Sequence, residues 1–198
     1  MIINIRGTSG SGKSTAVRQI MDLAPSINQI FQKPRETRRN PLLYRLQWPN
    51  LKITVSVPGH YETPCGGCDT IKTYDQLFEI IRAEHATGHH VLFEGLLVAH
   101  DKLRCRGLWD WLERKQGTFA IIELTESLET CLASVEARRN ARKNPPKKPF
   151  NPDNTIRRYR EVVRSCEQLE AEGIPIYRCK REEVLGTVQS LLRIPLVP

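Results

Sequence analysis

The clearest chemical signal in the sequence is a glycine-rich octapeptide near its start. Residues 7–14 read GTSGSGKS and fit the spacing G-x-x-x-x-G-K-[ST] in full. Glycines there let backbone N–H groups approach a phosphate closely, and the positive end of the following helix adds attraction. The Lys13 ammonium neutralises the outer phosphates. We therefore predict that this loop binds ATP through Thr8, Ser9, Gly10, Ser11, Gly12, Lys13, Ser14 and Thr15.

Two residues are candidates for holding the Mg²⁺ that accompanies such a triphosphate. The Ser14 hydroxyl follows the loop lysine directly, and Glu94 ends the apolar stretch that begins at Val91. A carboxylate at the end of a buried strand is costly unless a cation or a hydrogen-bond network compensates its charge. We predict a Mg²⁺ site formed by Ser14 and Glu94. An ion pair between Glu94 and an arginine is the alternative.

Positive charge is concentrated late in the chain. Residues 138–160 contain nine lysines and arginines and one acid, Asp153, and so carry +8, the net charge of the whole chain. Four prolines between residues 143 and 154 exclude a continuous helix. We predict that residues 138–160 form an arginine-rich lid. In it Arg138 and Arg142, one helical turn apart, would stabilise the charge on a phosphoryl group in transfer. A solvated basic helix and contacts with a polyanionic backbone such as DNA are the alternatives.

A glycine- and cysteine-rich stretch, residues 61–70, is the candidate for binding the acceptor of a phosphoryl group. Its glycines would let the backbone approach an acceptor, and its carboxylate could accept a hydroxyl proton. We predict that Asp69 is the general base and that the acceptor contacts Tyr61, Cys65, Gly66 and Gly67. A purely structural turn is the alternative. Half of a zinc site or a redox pair fits less well, because the sequence has no second Cys-x-x-Cys pair and no thioredoxin-like context.

A polar loop at residues 33–41, bounded by Pro34 and Pro41, carries further arginines. We predict that Arg35 and Arg38 hold a phosphate group of the acceptor, because guanidinium groups bind phosphate in two-pronged fashion. A solvated loop is the alternative.

These candidates must be positioned by the elements between them, and strand-like and helix-like segments alternate along the chain. Such alternation predicts an α/β fold, here a parallel sheet of about five strands flanked by helices, in one domain over residues 1–198. The stretches 42–47 and 51–57 are predicted as two strands joined by a turn at Trp48, Pro49 and Asn50. Ligands of such sheets bind beyond the carboxyl ends of the strands, and the candidate loops follow predicted strands.

Composition is that of an ordinary globular protein, with 39% hydrophobic and 26% charged residues. The longest apolar run, near residues 91–99, is broken by Glu94 and Gly95, so we expect no membrane span. The first residues are too short and too β-branched for a signal peptide, and we expect a cytoplasmic protein whose six cysteines form no disulfides.

The phosphate loop, the apolar strand ending in Glu94-Gly95 and the arginine lid together resemble the nucleoside and nucleotide kinase branch of P-loop proteins. The stretch Gly59-His60-Tyr61 with residues 65–69 is similar to that of bacteriophage P-loop kinases, which include enzymes that phosphorylate 5-hydroxymethyluracil within DNA. This resemblance implies ATP and Mg²⁺ as cofactors, a hydroxymethyl group on a base as acceptor and DNA as partner, in the host cytoplasm if the protein is viral. The Asp-Arg-Tyr/His type of motif of thymidylate kinases is absent.

Two other functions remain open at this point. One is a kinase for a nucleoside, a nucleotide or another small metabolite. The other is a P-loop switch or binding module that hydrolyses ATP slowly, although such a module needs no acceptor loop and no lid arginines.

Overall fold

The computed structural model describes residues 1–31, 40–63, 66–141 and 149–195. Within these ranges, strands and helices alternate through most of the chain. The strands are β1 (Ile2–Arg6), β2 (Ser26–Ile30), β3 (Leu43–Trp48), β4 (Ile53–Pro58), β5 (His90–Glu94), β6 (Phe119–Leu124) and β7 (Ile176–Cys179). The helices are α1 (Lys13–Asp22), α2 (Tyr74–Ala86), α3 (Lys102–Glu113), α4 (Leu128–Asn140), α5 (Asp153–Ala171) and α6 (Val184–Leu192).

All of these strands lie in one sheet, in the order β2-β3-β4-β5-β1-β6-β7. From β4 to β7 in that order, each strand is parallel to its neighbour, whereas β3 is antiparallel to both β2 and β4. The predicted α/β class is confirmed. The described sheet has seven strands rather than about five, and it is mostly rather than wholly parallel. The short turn Pro49–Leu51 folds β4 back beside β3, and this hairpin adds antiparallel strands at one edge.

Helices cover both faces of the sheet, and strand alternation assigns side chains to each face. On β1, Ile3 and Ile5 pack with α1 and α6, whereas Ile2 packs with α2, α3 and α5. Every residue of β1 is buried, as expected for a central strand covered on both faces. The strand that leads into the glycine-rich loop is therefore held firmly from two sides.

A buried arginine, Arg6, fixes the point where β1 ends. Its guanidinium donates to Asn4 Oδ1 at 2.6 Å, to Ser165 Oγ at 2.9 Å and to the carbonyl of Asp101 at 3.1 Å. These partners lie on β1, on α5 and just before α3. Arg6 therefore ties the start of the glycine-rich loop to both helices.

A second polar cluster joins α2 to the hairpin. Glu84 accepts two hydrogen bonds from Arg45 at 2.8 and 2.9 Å and one from Ser56 at 2.6 Å, and it contacts His89 Nδ1 at 3.1 Å. Burial alone would raise the pKa of Glu84, but these hydrogen bonds outweigh it and bring the pKa to about 2. Glu84 is thus an ionised anchor for β3 and β4.

The five cysteines within the described ranges are Cys68, Cys105, Cys131, Cys166 and Cys179, and all are buried with free thiols. Among the described residues, none of the helices is long and apolar enough to cross a membrane.

Candidate active site

The loops that carry the candidate residues meet at the carboxyl edge of the parallel strands. The glycine-rich loop follows β1, the acceptor stretch follows β4, and Glu94 is the last residue of β5. A cavity of about 450 Å³ opens between these loops, and α4 contributes to its wall. Of the predicted residues, those that line this cavity are Ser9, Gly10, Gly12, Lys13, Ser14, Thr15, Gly66, Asp69, Glu94 and Arg138.

The glycine-rich loop has the geometry of an anion site. Gly12 precedes the first turn of α1, and no side chain caps the N–H groups of that turn. They are therefore available to a phosphate, together with the positive end of the helix. Thr8 and Ser11 differ from the other predicted ATP ligands, because they border a separate cavity of about 170 Å³ and not the larger one.

Lys13 is almost fully buried and folds onto its own loop. Its Nζ donates to the carbonyl oxygens of Gly7 at 2.8 Å and Thr8 at 2.9 Å. Burial lowers the pKa of Lys13, while the nearby carboxylates of Glu94 and Asp69 oppose that shift. A triphosphate bound in the loop would add negative charge beside this ammonium and favour its charged form.

The two residues predicted to hold Mg²⁺ lie together. Ser14 Oγ donates to Glu94 Oε1 at 2.8 Å, and Glu94 is only 2% exposed. Burial raises the pKa of Glu94, against the opposing effects of Lys13 and Ser14. Among the described residues, no arginine pairs with Glu94. A hydroxyl and a carboxylate are hard oxygen ligands, the type that Mg²⁺ prefers, so the chemistry of the pair fits this ion.

The acceptor stretch packs against this carboxylate. Gly67 has φ +79° and donates its N–H to the carbonyl of His60 at 2.9 Å. A Cβ at Gly67 would collide with the carboxylate of Glu94. Only glycine therefore allows the loop to lie this close to the predicted metal ligand.

Asp69 is held in place by backbone N–H groups. Its Oδ2 accepts from Leu96 at 2.7 Å and its Oδ1 accepts from Leu97 at 3.1 Å. These amides lie directly beyond Glu94 and Gly95, so Asp69 joins the acceptor stretch to the end of β5. Each carboxylate oxygen keeps a second lone pair that can accept a hydrogen bond from a ligand in the cavity.

Tyr61, the first residue of the acceptor stretch, is buried and is absent from the cavity wall. Its ring lies 6.2 Å from that of Tyr44, and its N–H donates to the Tyr44 hydroxyl at 3.2 Å. Burial first, and then the charge of Glu94, raises the pKa of the Tyr61 hydroxyl. The predicted substrate contact from Tyr61 gains no direct support from this position, because packing against β3 draws the ring into the core.

The thiol of Cys68 gives no support to a metal or redox role. Burial strongly raises its pKa, and its Sγ donates to the carbonyl of Pro58 at 3.8 Å. Metal binding and thiol exchange both need the thiolate. His85 and His89 have a spacing found in zinc sites, but they precede β5, at the edge of the sheet away from the cavity.

The segment predicted to form an arginine-rich lid, residues 138–160, is described only in part, and the lid remains a prediction. Arg138, on α4, lines the cavity. Arg157 and Arg158 both pair with Glu161, at 2.8 and 2.9 Å, and Arg158 also contacts His100 at 2.7 Å. The predictions for Arg142, Arg35, Arg38 and Cys65 concern residues that lie outside the described ranges.

Four residues of the cavity wall were missed in the sequence: Arg18, Leu96, Ser134 and Arg181. Arg181 follows β7, and its backbone N–H donates to Glu126 Oε1 at 2.9 Å. Its place beyond the end of a parallel strand was the available signal. Arg18 lies one helical turn beyond Ser14 on α1, a spacing that would have placed both side chains on one face.

The fold, the glycine-rich loop after β1 and the hydroxyl–carboxylate pair beside it are those of a P-loop kinase, a phosphotransferase. No protein-family model matches the chain. The chain is 39% identical over 191 residues, 96% of each protein, to the "5-hmdU DNA kinase" of Pseudomonas phage PaMx11. It belongs to the same family as that kinase. A solved structure, deoxyadenosine kinase from M. mycoides with bound dATP, aligns over 98% of this chain and 99% of its own at 14% identity and a TM-score of 0.38.

Proposed function

We propose that this protein transfers the γ-phosphate of ATP to the hydroxymethyl group of 5-hydroxymethyluracil in DNA. The observation that carries the proposal is the 39% identity, over 96% of both chains, to a phage 5-hmdU DNA kinase. The cavity supports it, because the phosphate loop, the Ser14–Glu94 pair and the acceptor stretch meet there. An enzyme acting on phage DNA would work in the cytoplasm of the host cell.

In the proposed reaction the hydroxymethyl oxygen forms a bond to the γ-phosphorus. The bond between that phosphorus and the oxygen bridging to the β-phosphate breaks, and ADP leaves with the electron pair. The hydroxyl proton passes to the carboxylate of Asp69. Asp69 suits this role because two backbone N–H groups fix its orientation and it lines the same cavity as Lys13.

The other residues would stabilise charge and hold the nucleotide. Lys13 on α1 and Arg138 on α4 both line the cavity, and their positive charges would stabilise the negative charge that spreads over the γ-phosphoryl oxygens. Mg²⁺, when bound at Ser14 and Glu94, would neutralise part of the triphosphate charge. Arg181 lies next to Gly12 and would contact the nucleotide.

The DNA partner would be held mainly through phosphates. Arg157, Arg160 and Arg164 border an open groove along the exposed side of α5, which Asp153 and Glu161 also line. Positive side chains spaced along one helix face suit a phosphate backbone. Binding that uses several of them weakens steeply as salt displaces them from the phosphates.

Transfer of ³²P from [γ-³²P]ATP tests the function directly. The acceptors would be duplex and single-stranded oligonucleotides with one 5-hydroxymethyluracil, the same oligonucleotides with thymine, the free nucleoside and the free nucleotide. We expect label on the modified DNA alone, with a Michaelis constant for DNA that rises steeply with salt. Label on the nucleoside or nucleotide alone would replace DNA by a small acceptor.

A pair of variants tests the proposed base. Asp69→Asn should lower turnover by at least about 10²-fold, the usual contribution of a positioned base, with ATP binding retained. Asp75→Asn, an exposed acid in the first turn of α2, is the matched control. Because Asp69 also binds Leu96 and Leu97, thermal unfolding must show that the variant keeps its stability. Undiminished turnover would rule out Asp69 as base.

A further inference from the structure

Arg18 connects the helix after the phosphate loop to the acceptor stretch. Its Nη2 donates to the carbonyl of Thr63 at 2.6 Å, and its Nε and Nη2 donate to the carbonyl of Tyr61 at 3.4 and 3.3 Å. Its Nη1 reaches the carbonyl of Ser14 at 3.4 Å. One guanidinium therefore contacts the backbone of α1 and two carbonyls of residues that lie 43 and 45 positions further along the chain.

Arg18 forms no ion pair with any acid in the described part of the chain. Within the ranges that the structure describes, its partners are backbone carbonyls and the face of Tyr61, whose ring centre lies 5.8 Å from the guanidinium carbon. A planar fork of donors suits two carbonyls that lie two residues apart, as those of Tyr61 and Thr63 do, and a lysine ammonium lacks this geometry. The side chain also forms part of the cavity wall.

Residues 61–63 are held from the opposite side by Tyr44. The Tyr44 hydroxyl accepts from the N–H of Tyr61 at 3.2 Å and donates to Glu62 Oε1 at 2.8 Å. Arg18 and Tyr44 thus grip the same short segment between α1 and β3. This segment leads directly to Gly66 and Asp69, which border the cavity.

Arg18 follows the phosphate loop by more than one turn of α1, and the hydrogen bonds of its Nε and Nη2 go to the acceptor stretch. It is four residues beyond Ser14, a rise of about 6 Å along the helix, away from the positive end that faces the triphosphate. Its contacts point to the acceptor stretch instead. These contacts favour a role in the placement of the acceptor over a role in ATP binding.

We propose that Arg18 is a positioning residue, which holds residues 61–63 against α1 and thereby fixes the acceptor hydroxyl relative to the γ-phosphate. This inference rests on the proposed function, because it takes residues 61–69 as the acceptor site. Its removal should weaken acceptor binding and leave ATP binding nearly unchanged.

Steady-state kinetics on Arg18→Ala, Arg18→Lys and Gln19→Ala test this split. Gln19 is the exposed neighbour on the same helix and serves as the control. We expect Arg18→Ala to raise the Michaelis constant for modified DNA about tenfold, with that for ATP changed less than about twofold. Arg18→Lys should fall between, and Gln19→Ala should match the wild type. Equal changes for both substrates, or none, would overturn the proposal.

The salt dependence of the Michaelis constant separates positioning from a direct phosphate contact. If Arg18 positions the loop, the slope of log KM against log salt stays that of the wild type. A direct contact with a DNA phosphate would reduce the slope by about one on substitution, and that result would also overturn the proposal.

Hydrogen exchange supplies a measurement that does not depend on the acceptor. Arg18→Ala should increase exchange of backbone amides in residues 60–69 and leave exchange in α1 at the wild-type rate. Unchanged exchange in residues 60–69 would refute the positioning role even if the wild type labels another acceptor. Failure of the wild type to label modified DNA refutes the proposed function alone.

Discussion

Gly67→Ala tests whether the close approach of the acceptor stretch to Glu94 matters for activity. Gly67 has φ +79° and ψ −157°, a combination that residues with a side chain rarely adopt, so alanine adds about 1–3 kcal/mol of backbone strain. The added methyl group would also meet Glu94, with the carbonyl oxygen of Glu94 only 2.8 Å from it. Either the loop or the carboxylate must move.

The expected result has a thermal and a catalytic part. The strain should lower Tm by about 2–4 °C per kcal/mol, or about 2–12 °C in all, for a chain of this size. Displacement of Glu94 should reduce turnover about 10- to 100-fold and raise the Mg²⁺ concentration needed for half-maximal rate. Differential scanning calorimetry and Mg²⁺ titrations of the transfer rate measure both.

Two other glycines separate strain from collision. Gly88 also has a positive φ, +89°, but a Cβ there would meet nothing within 4 Å. Gly88→Ala should therefore lower the free energy of unfolding by about 1–2 kcal/mol and leave turnover unchanged. Gly107 lies inside α3 with open space around it, so Gly107→Ala should raise the free energy of unfolding by about 0.5–1 kcal/mol. If Gly67→Ala lowers Tm like Gly88→Ala but keeps wild-type turnover and Mg²⁺ dependence, the contact with Glu94 has no catalytic weight.

Three further predictions concern charged groups. Lys13→Ala should reduce phosphoryl transfer by about 10²–10³-fold or more, measured by ³²P transfer, and activity near that of the wild type would contradict the proposed mechanism. Because burial raises the pKa of Glu94, the native state binds this proton more tightly than the unfolded state, and the contribution of Glu94 to stability falls as pH rises above about 4.3. Glu94→Gln should therefore raise the nucleotide-free Tm at pH 7–8, and parallel Tm–pH curves for both proteins would refute this. The pKa of Glu84 is shifted in the opposite direction, down to about 2. The contribution of Glu84 to folding stability is therefore complete above about pH 4.3 and is lost as pH falls through 2. Glu84→Gln should lower the free energy of unfolding by about 3 kcal/mol at pH 7, measured by urea unfolding. If the difference in stability between the wild type and this variant does not narrow at low pH, Glu84 is not an ionised anchor.

The sequence was sufficient for features that depend on local spacing. The phosphate loop, the turn between β3 and β4 and the strand that ends in Glu94 each have their signal within about ten residues. The meeting of Ser14 with Glu94, 80 residues apart, followed from one further rule, that parallel strands present their carboxyl ends at one edge.

Contacts between distant segments could not be predicted in the same way. The hydrogen bond from Arg18 to Thr63 joins residues 45 positions apart, and that from Arg181 to Glu126 joins residues 55 positions apart. Neither contact is predicted by any periodic pattern in the sequence. Tyr61 shows the same limit, because its burial depends on Tyr44 of β3, and an aromatic residue in a polar stretch is equally compatible with a ligand contact. These contacts depend on which strands lie side by side in the sheet, and the sequence alone does not give that order.

The contact of Gly67 with Glu94 has a thermodynamic consequence: a ligand of Glu94 and a ligand of the acceptor stretch should change each other's affinity. A cation that draws the Glu94 carboxylate toward itself alters the surface on which residues 66 and 67 rest, and an acceptor that presses on those residues alters the surroundings of the carboxylate. Linkage requires the two effects to be equal in free energy. Metal affinity measured with and without the acceptor should therefore change by the same factor as acceptor affinity measured with and without the metal.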